Sequence, residues 1–389
     1  PLAGRGRGSM RAMRLPWPSL AVLPVLAALV APALAKKAPP PELSTHDFLT
    51  EARALMTVGA CAEGPLPSEP ALSAAVVAAH CKTVRAAQAE YQKSWIGVAR
   101  PFFAEHVPAA IPRTVVYPFA GGDLSTALTV YPDADEITTL SLEPAGDPTA
   151  LAHLTEAQLK TALGVVATEL GSLYRANFSV TMNMIEAMRG GRLPTQLIFS
   201  LSALVLHGYE LTAVRYFRVG ADGELTYLTD ADVTRIAQLT DPGRRNREYA
   251  NVELTFHKPG QAHAQIYRHI QANLDDAHLK TAPAALRHLE KKGTVAAMTK
   301  AASYLLTFDE FKTMRQWVIG HVAWMVSDTT GLPPSEGKPA GFVYETYGTW
   351  DKPNMAAGQP IAKVWRAEYA AQPKRPLAFR FGYPDGNLH

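Results

Sequence analysis

The chain has 389 residues, 47% of them hydrophobic, and a formal net charge of +3. Four arginines (Arg5, Arg7, Arg11, Arg14) and no acid lie in the first 35 residues, so without them the balance falls from +3 to −1. That balance leaves no basic face for a nucleic-acid partner.

The chain order opens on an export signal. Arg11 and Arg14 follow Met10, and an apolar run from Leu20 to Leu34 leads to Ala33-Leu34-Ala35 and Lys36. A basic start, a short apolar stretch and a small-x-small site form a cleavable secretory signal, with cleavage expected after Ala35. A membrane anchor needs about 20 apolar residues. This run is shorter and holds Pro24 and Pro32, and no later run spans a membrane. Residues 1–9 precede the first methionine and are set aside from the fold reading. The expected location is the periplasm or the extracellular space.

After a Pro-rich lead-in, His46–Val58 and Ala71–Trp95 read as helices around a Gly/Pro loop, with Pro101, Pro108 and Pro112 ending the segment. The only cysteines, Cys61 and Cys81, are expected to staple this helical hairpin. Closing a loop of about 20 residues contributes roughly 3 kcal/mol in the chain-entropy picture.

From Arg113 the pattern changes. Thr114–Tyr117 reads as a buried strand, Leu124–Val130 as a short helix and Glu136–Leu142 as a second strand. Thr155-x-x-Gln158 is a capping box for a helix with Leu159, Leu163, Val166 and Leu170 on one face. Further helices are expected from about Val180 to Gly190 and at Leu197–Leu206. Hairpins follow around Gly220–Gly223 and Lys258–Gly260, with a polar loop at Asp241–Arg247. A helix at Ala284–Lys292, a second capping box Thr307-x-x-Glu310 before a helix at Glu310–Ile319, a strand at His321–Ser327 and short strands at Phe342–Tyr347 and Leu377–Phe381 complete the reading.

The predicted fold class is α/β, a mixed sheet with a Rossmann-like strand-helix-strand start preceded by the helical hairpin. Its expected divisions are leader 1–35, hairpin 36–110, α/β core 111–331 and a loop-rich segment 332–389.

Candidate chemistry concentrates in Tyr117-Pro118-Phe119-Ala120-Gly121-Gly122-Asp123. A strand, a glycine turn, a helix and a strand ending near the acid Glu143 follow the plan of a nucleotide half-site. The pattern GGD is not G-x-G-x-x-G, and Pro118 removes a backbone donor, so a loop that merely caps the strand is the competing reading. Asp123, Glu143 and Asp328 each follow a predicted strand, and open α/β sheets place their sites at such ends. Parallel strands would bring the three carboxylates to one rim, to hold a hard cation through oxygen ligands or act as an acid–base pair; otherwise Asp123 caps the next helix and Asp328 starts a turn. Lys300, among small apolar residues with Ser303 and Tyr304, is either a base or a snorkelling surface lysine. The twelve histidines form no H-E-x-x-H and no cysteine–histidine cluster, and G-x-S-x-G and Walker patterns are absent. Tyr344, Tyr347, Trp350, Trp365, Tyr369 and Tyr383 either offer a sugar-stacking platform or cover the sheet.

Four motifs give the chain a resemblance: Tyr117-Pro118-Phe119-x-Gly121-x-Asp123, Leu142-Glu143-Pro144-x-Gly146, Lys300-Ala301-Ala302-Ser303-Tyr304-Leu305 and Asp328-x-Thr330-Gly331-x-Pro333. With them it resembles an uncharacterised family of exported bacterial proteins over residues 113–350. Ala120 stands where that family often has serine, and Thr329 where it has a second aspartate, which counts against a metal at Asp328. The resemblance implies architecture and location and carries no activity.

The expectation is therefore an exported protein binding a small polar molecule through Tyr117, Gly121, Gly122, Asp123, Glu143, Lys300 and Asp328. No cofactor, metal, nucleic acid or particular protein partner is implied. The alternatives are a non-catalytic envelope interaction protein and a relic of a methyltransferase-like nucleotide domain.

Overall fold

The computed structural model describes residues 44–68, 72–176, 192–328, 330–347 and 380–384. The leader, the predicted helix from Val180 to Gly190, and Trp350, Trp365 and Tyr369 lie outside the described residues.

The fold is α/β, and its centre is a mixed ten-stranded sheet in the order β4-β3-β5-β6-β2-β1-β7-β8-β10-β9. Five strands in the middle run parallel: β6 (Gln265–Gln271), β2 (Glu136–Ser141), β1 (Thr114–Pro118), β7 (Val295–Thr299) and β8 (Val322–Ser327). Antiparallel strands flank them: β3 (Glu210–Val219), β4 (Leu225–Tyr227) and β5 (Asn251–His257) on one side, β9 (Phe342–Thr346) and β10 (Arg380–Pro384) on the other.

Alternation along the parallel strands builds two cores. Val115, Tyr117, Ala296 and Met298 enter one, and Val116, Ala297 and Met325 the other. Parallel strands are buried on both faces, which is why they read as short continuous apolar runs. The first face is covered by α1 (Leu49–Val58), α2 (Ala74–Tyr91), α4 (Leu124–Val130), α5 (Glu156–Ala176) and α6 (Thr195–His207). The second is covered by α9 (Asp276–Thr281), α10 (Ala284–Glu290) and α11 (Lys312–His321). In chain order α7 (Asp230–Ala237) and α8 (Pro242–Glu248) come between the two sets.

Several boundaries correct the sequence reading. The helical segment does not stop at Trp95. A π turn at Gln92–Ile96 follows α2, and α3 (Gly97–His106) carries Pro101 within it. The wider turn re-registers the hydrogen-bond ladder just before the residue that cannot donate to it. Residues 241–247 are not a loop: Asp241 Oδ1 accepts from Gly243 N and Pro242 opens α8. The Thr155–Gln158 box forms in both directions. The Thr307–Glu310 box does not; Thr307 Oγ1 donates backwards to Tyr304 O, and 3-10 turns occupy Ala301–Thr307 and Asp309–Phe311. The strand β7 is absent from the sequence reading, although it is the neighbour of β1.

The two cysteines form the expected pair. The sulfurs of Cys61 and Cys81 lie at bonding distance and the Cα atoms are 5.3 Å apart. Among the described residues no helix is long and apolar enough to cross a membrane.

Candidate functional site at the strand ends

Because β1, β2, β7 and β8 are mutually parallel, the segments after them share one edge of the sheet. Asp123, Glu143, Lys300 and Asp328 all follow these strands.

Lys300 comes directly off β7, between β1 and β8. Its Nζ donates to Asp123 Oδ2 at 2.5 Å and to Thr126 Oγ1 at 2.7 Å, and both charged side chains are only 3% exposed. Asp123 Oδ1 also caps α4, accepting from Thr126 N at 3.2 Å and Thr126 Oγ1 at 2.8 Å. Tyr117 OH donates to Asp123 Oδ2 at 3.1 Å. The Lys300 ammonium lies 5.8 Å from the centre of the Trp95 ring, which stacks on Tyr91 at 5.4 Å. The π turn carries Trp95. Of the two readings of Lys300, a snorkelling surface lysine is therefore overturned: it is a buried, paired cation. Asp123 has its predicted capping role and a second role besides.

Burial and the Asp123 charge push the Tyr117 hydroxyl well above the usual phenol range, and the same causes act on Tyr91. Both stay protonated and act as donors. Asp328 is half-buried beside this group. Its Oδ2 accepts from Ala301 N at 3.2 Å, and its Oδ1 from Thr330 N at 2.8 Å and Thr330 Oγ1 at 2.7 Å. Burial raises its carboxyl above the usual carboxylate range, while the nearby Lys300 charge opposes the rise.

Glu143 is fully buried on the other side of β1. A hydrogen-bond chain links its backbone to the glycine loop. His269 Nε2 donates to Glu143 O at 2.7 Å, Gln196 Nε2 approaches His269 Nδ1 at 3.3 Å, and the same Nε2 donates to Gly121 O at 3.0 Å. The structure thus brings Tyr117, Asp123 and Lys300 into contact, sets Asp328 against them, and ties Glu143 to Gly121 by a separate chain.

Gly121 has a left-handed backbone (φ 54°), which a glycine adopts freely. Gly122 is required by close approach: a Cβ there would sit 2.0 Å from Cδ2 of buried Phe199 on α6. The Phe199 ring packs directly against the glycine turn. Gly122→Ala is expected to cost about 1–3 kcal/mol by overpacking, and Gly122→Ala with Phe199→Leu should recover part of it. Thermal unfolding of the two variants checks this; an undisturbed single variant would refute it.

Sequence reasoning missed Trp95, Tyr91, Thr126, Gln196 and His269. Their only signal is placement: Thr126 is the third residue after the Asp123 cap, while the others come from segments far away in the chain. It also missed a buried pair in which Ser125 Oγ lies 3.0 Å from His207 Nε2. Arg100 Nη2 lies 2.6 Å from His207 Nδ1 and can only donate, so Nδ1 carries the lone pair and Nε2 the proton. Burial, then the Arg100 charge, pulls the ring down to about 3. A neutral histidine that donates to the serine cannot take its proton, so this pair is no nucleophile–base couple. Tyr347 packs on Phe102 and His106 of α3, which favours a packing role for that aromatic.

Comparison of the chain with known protein families, with characterised proteins and with solved structures finds no match to any of them.

Proposed function

We propose that this is an exported cell-envelope protein that binds a small polar ligand at the carboxyl ends of β1, β7 and β8. One observation carries the reading. Phe119 and Ala301, neither of them glycine, have left-handed backbone (φ 59° and 51°) directly past two neighbouring parallel strands. Such strain persists only where its surroundings enforce it, and it clusters at binding and catalytic sites. Both residues border the Asp123–Lys300 pair. One cation stands between two acids, Asp123 and Asp328, so the group suits a ligand rich in hydrogen-bond donors, a polyol or an amine. The basic start, the Ala33-x-Ala35 site and the cysteine pair support export.

A thermal-shift panel of neutral polyols and small amines tests the site. A compound that raises the midpoint of the natural protein should lose its effect in Asp328→Asn and in Tyr117→Phe. A panel without effect, or a hit that survives both substitutions, ends this reading. Intact mass of the exported protein should begin at Lys36; retention of Met10 would refute cleavage.

The second reading, an interaction protein, draws on the closure of the rim, where Tyr117, Asp123, Glu143 and Lys300 are all buried. A cleft of about 970 Å³ lies between α1, the Pro65–Pro67 loop and the start of β3, and it shares no residue with the rim. Under that reading the panel fails while the Asp123–Lys300 pair still matters to stability.

A further inference from the structure

A second cluster lies outside the strand ends, where the loop after α1 meets α2. The two cysteine sulfurs and a ring nitrogen of His80 all lie within 4.8 Å of one another, and all three residues are buried. Sequence spacing does not signal this cysteine–histidine cluster; the fold creates it.

Three side chains of α2 hold three consecutive carbonyls of the loop. His80 Nε2 lies 2.9 Å from Gly59 O, Gln88 Nε2 donates to Ala60 O at 3.4 Å, and Arg85 donates to Cys61 O through Nε at 3.3 Å and Nη2 at 3.1 Å. The Gln88 and Arg85 bonds do not depend on the disulfide, so they keep Cys61 opposite Cys81 when that bond is broken. The Nδ1 atom of the same ring is buried and has no hydrogen-bond partner. A neutral imidazole that gives its one N–H to a backbone carbonyl presents its other nitrogen as a ligand, oriented in the way metal-binding histidines are. A cavity of about 440 Å³ is lined by Cys61, Glu63, Arg85 and Gln88 among others, and Cys61 is the one cluster residue that borders it.

We propose that reduction converts the Cys61–Cys81 bridge into a site for one zinc-class divalent cation, held by both sulfurs and one ring nitrogen of His80 with water in the fourth position. Two thiolates, an imidazole and a water form a tetrahedral donor set suited to zinc. The chemistry balances. A phosphine attacks one sulfur and breaks the S–S bond; one water supplies the oxygen that leaves as phosphine oxide and the two protons that complete two thiols. A cellular dithiol reaches the same thiols by exchange, closing to its own disulfide. The cation then displaces both thiol protons to solvent.

Cobalt(II) is the probe, added to the oxidised protein and to protein reduced with a phosphine, with circular dichroism followed in parallel. The oxidised protein should take up none. The reduced protein, still folded, should bind one equivalent and show thiolate-to-cobalt charge-transfer absorption that zinc abolishes. His80→Ala should weaken binding at least tenfold and move the visible bands, and Cys61→Ser with Cys81→Ser should bind none. Equal uptake before and after reduction, no charge-transfer band in the reduced folded protein, or unchanged affinity in His80→Ala would each overturn the site. So would uptake confined to reduced chains that have lost their circular dichroism, since the cobalt would then belong to unfolded thiols.

Discussion

Lys300→Ala is expected to destabilise the protein by about 3–5 kcal/mol, the cost of leaving a buried charge without its partner. Asp123 would keep Thr126 and Tyr117 as donors but lose the ammonium 2.5 Å away, in a place that water does not reach. Removing both charges together relieves that penalty. Asp123→Asn with Lys300→Met should therefore lose clearly less than Lys300→Ala alone, because the amide still accepts from Thr126 N and the thioether fills the lysine's path. Asp123→Ala adds the loss of the α4 cap, about 1 kcal/mol. Guanidinium unfolding of the four proteins decides the matter. A loss under about 1 kcal/mol in Lys300→Ala would show that the pair does not hold the rim together.

The second large effect is acid lability, and its sign follows from where the folded protein holds its protons. Burial pulls His269 down to about 4 and His207 to about 3; burial followed by the Lys292 charge pulls His288 to about 4. In the unfolded chain these rings titrate near 6.5. Between about pH 6.5 and 4 the unfolded state thus binds protons that the folded state refuses, and stability falls as the pH falls. For His269 alone the difference amounts to about 3 kcal/mol at pH 4. Below that, Glu136 takes over. It is desolvated, but Lys292 and Arg268 outweigh the desolvation and hold its carboxyl at about 2. The stability this adds is present above about pH 4.5 and is lost as the pH falls towards 2. Urea midpoints measured at intervals of pH should show His269→Gln with a shallower decline between pH 6.5 and 4, whatever its stability at neutral pH. Parallel curves would remove His269 as a source of the effect.

How far the sequence could lead depended on what kind of signal each element carries. Leu124–Val130 and Thr114–Tyr117 are legible because a β-branched run, a proline–glycine break and an aspartate cap are local features. Val295–Thr299 is not. Its Val-Ala-Ala-Met-Thr has no alternation and little β-branching, so nothing local separates it from a helix. Missing β7 hid the reason Lys300 matters, since only a strand between β1 and β8 carries that ammonium to Asp123. The three acids were placed at one edge by parallel crossovers alone, and the strand directions agree. What joins them was out of reach. Trp95 arrives from a π turn, and the Gln196–His269 chain depends on two elements more than 70 residues apart.

The sheet order has a further result. Residues 380–384 form β10, and β10 lies between β8 and β9, paired with both. An inner strand is thus supplied from far along the chain, later than every other described strand of the sheet. During synthesis β8 has no neighbour on that side, and β9 has nothing to pair with, until residue 384 is clear of the ribosome. On that side the sheet stays open until β10 arrives to pair with both neighbours.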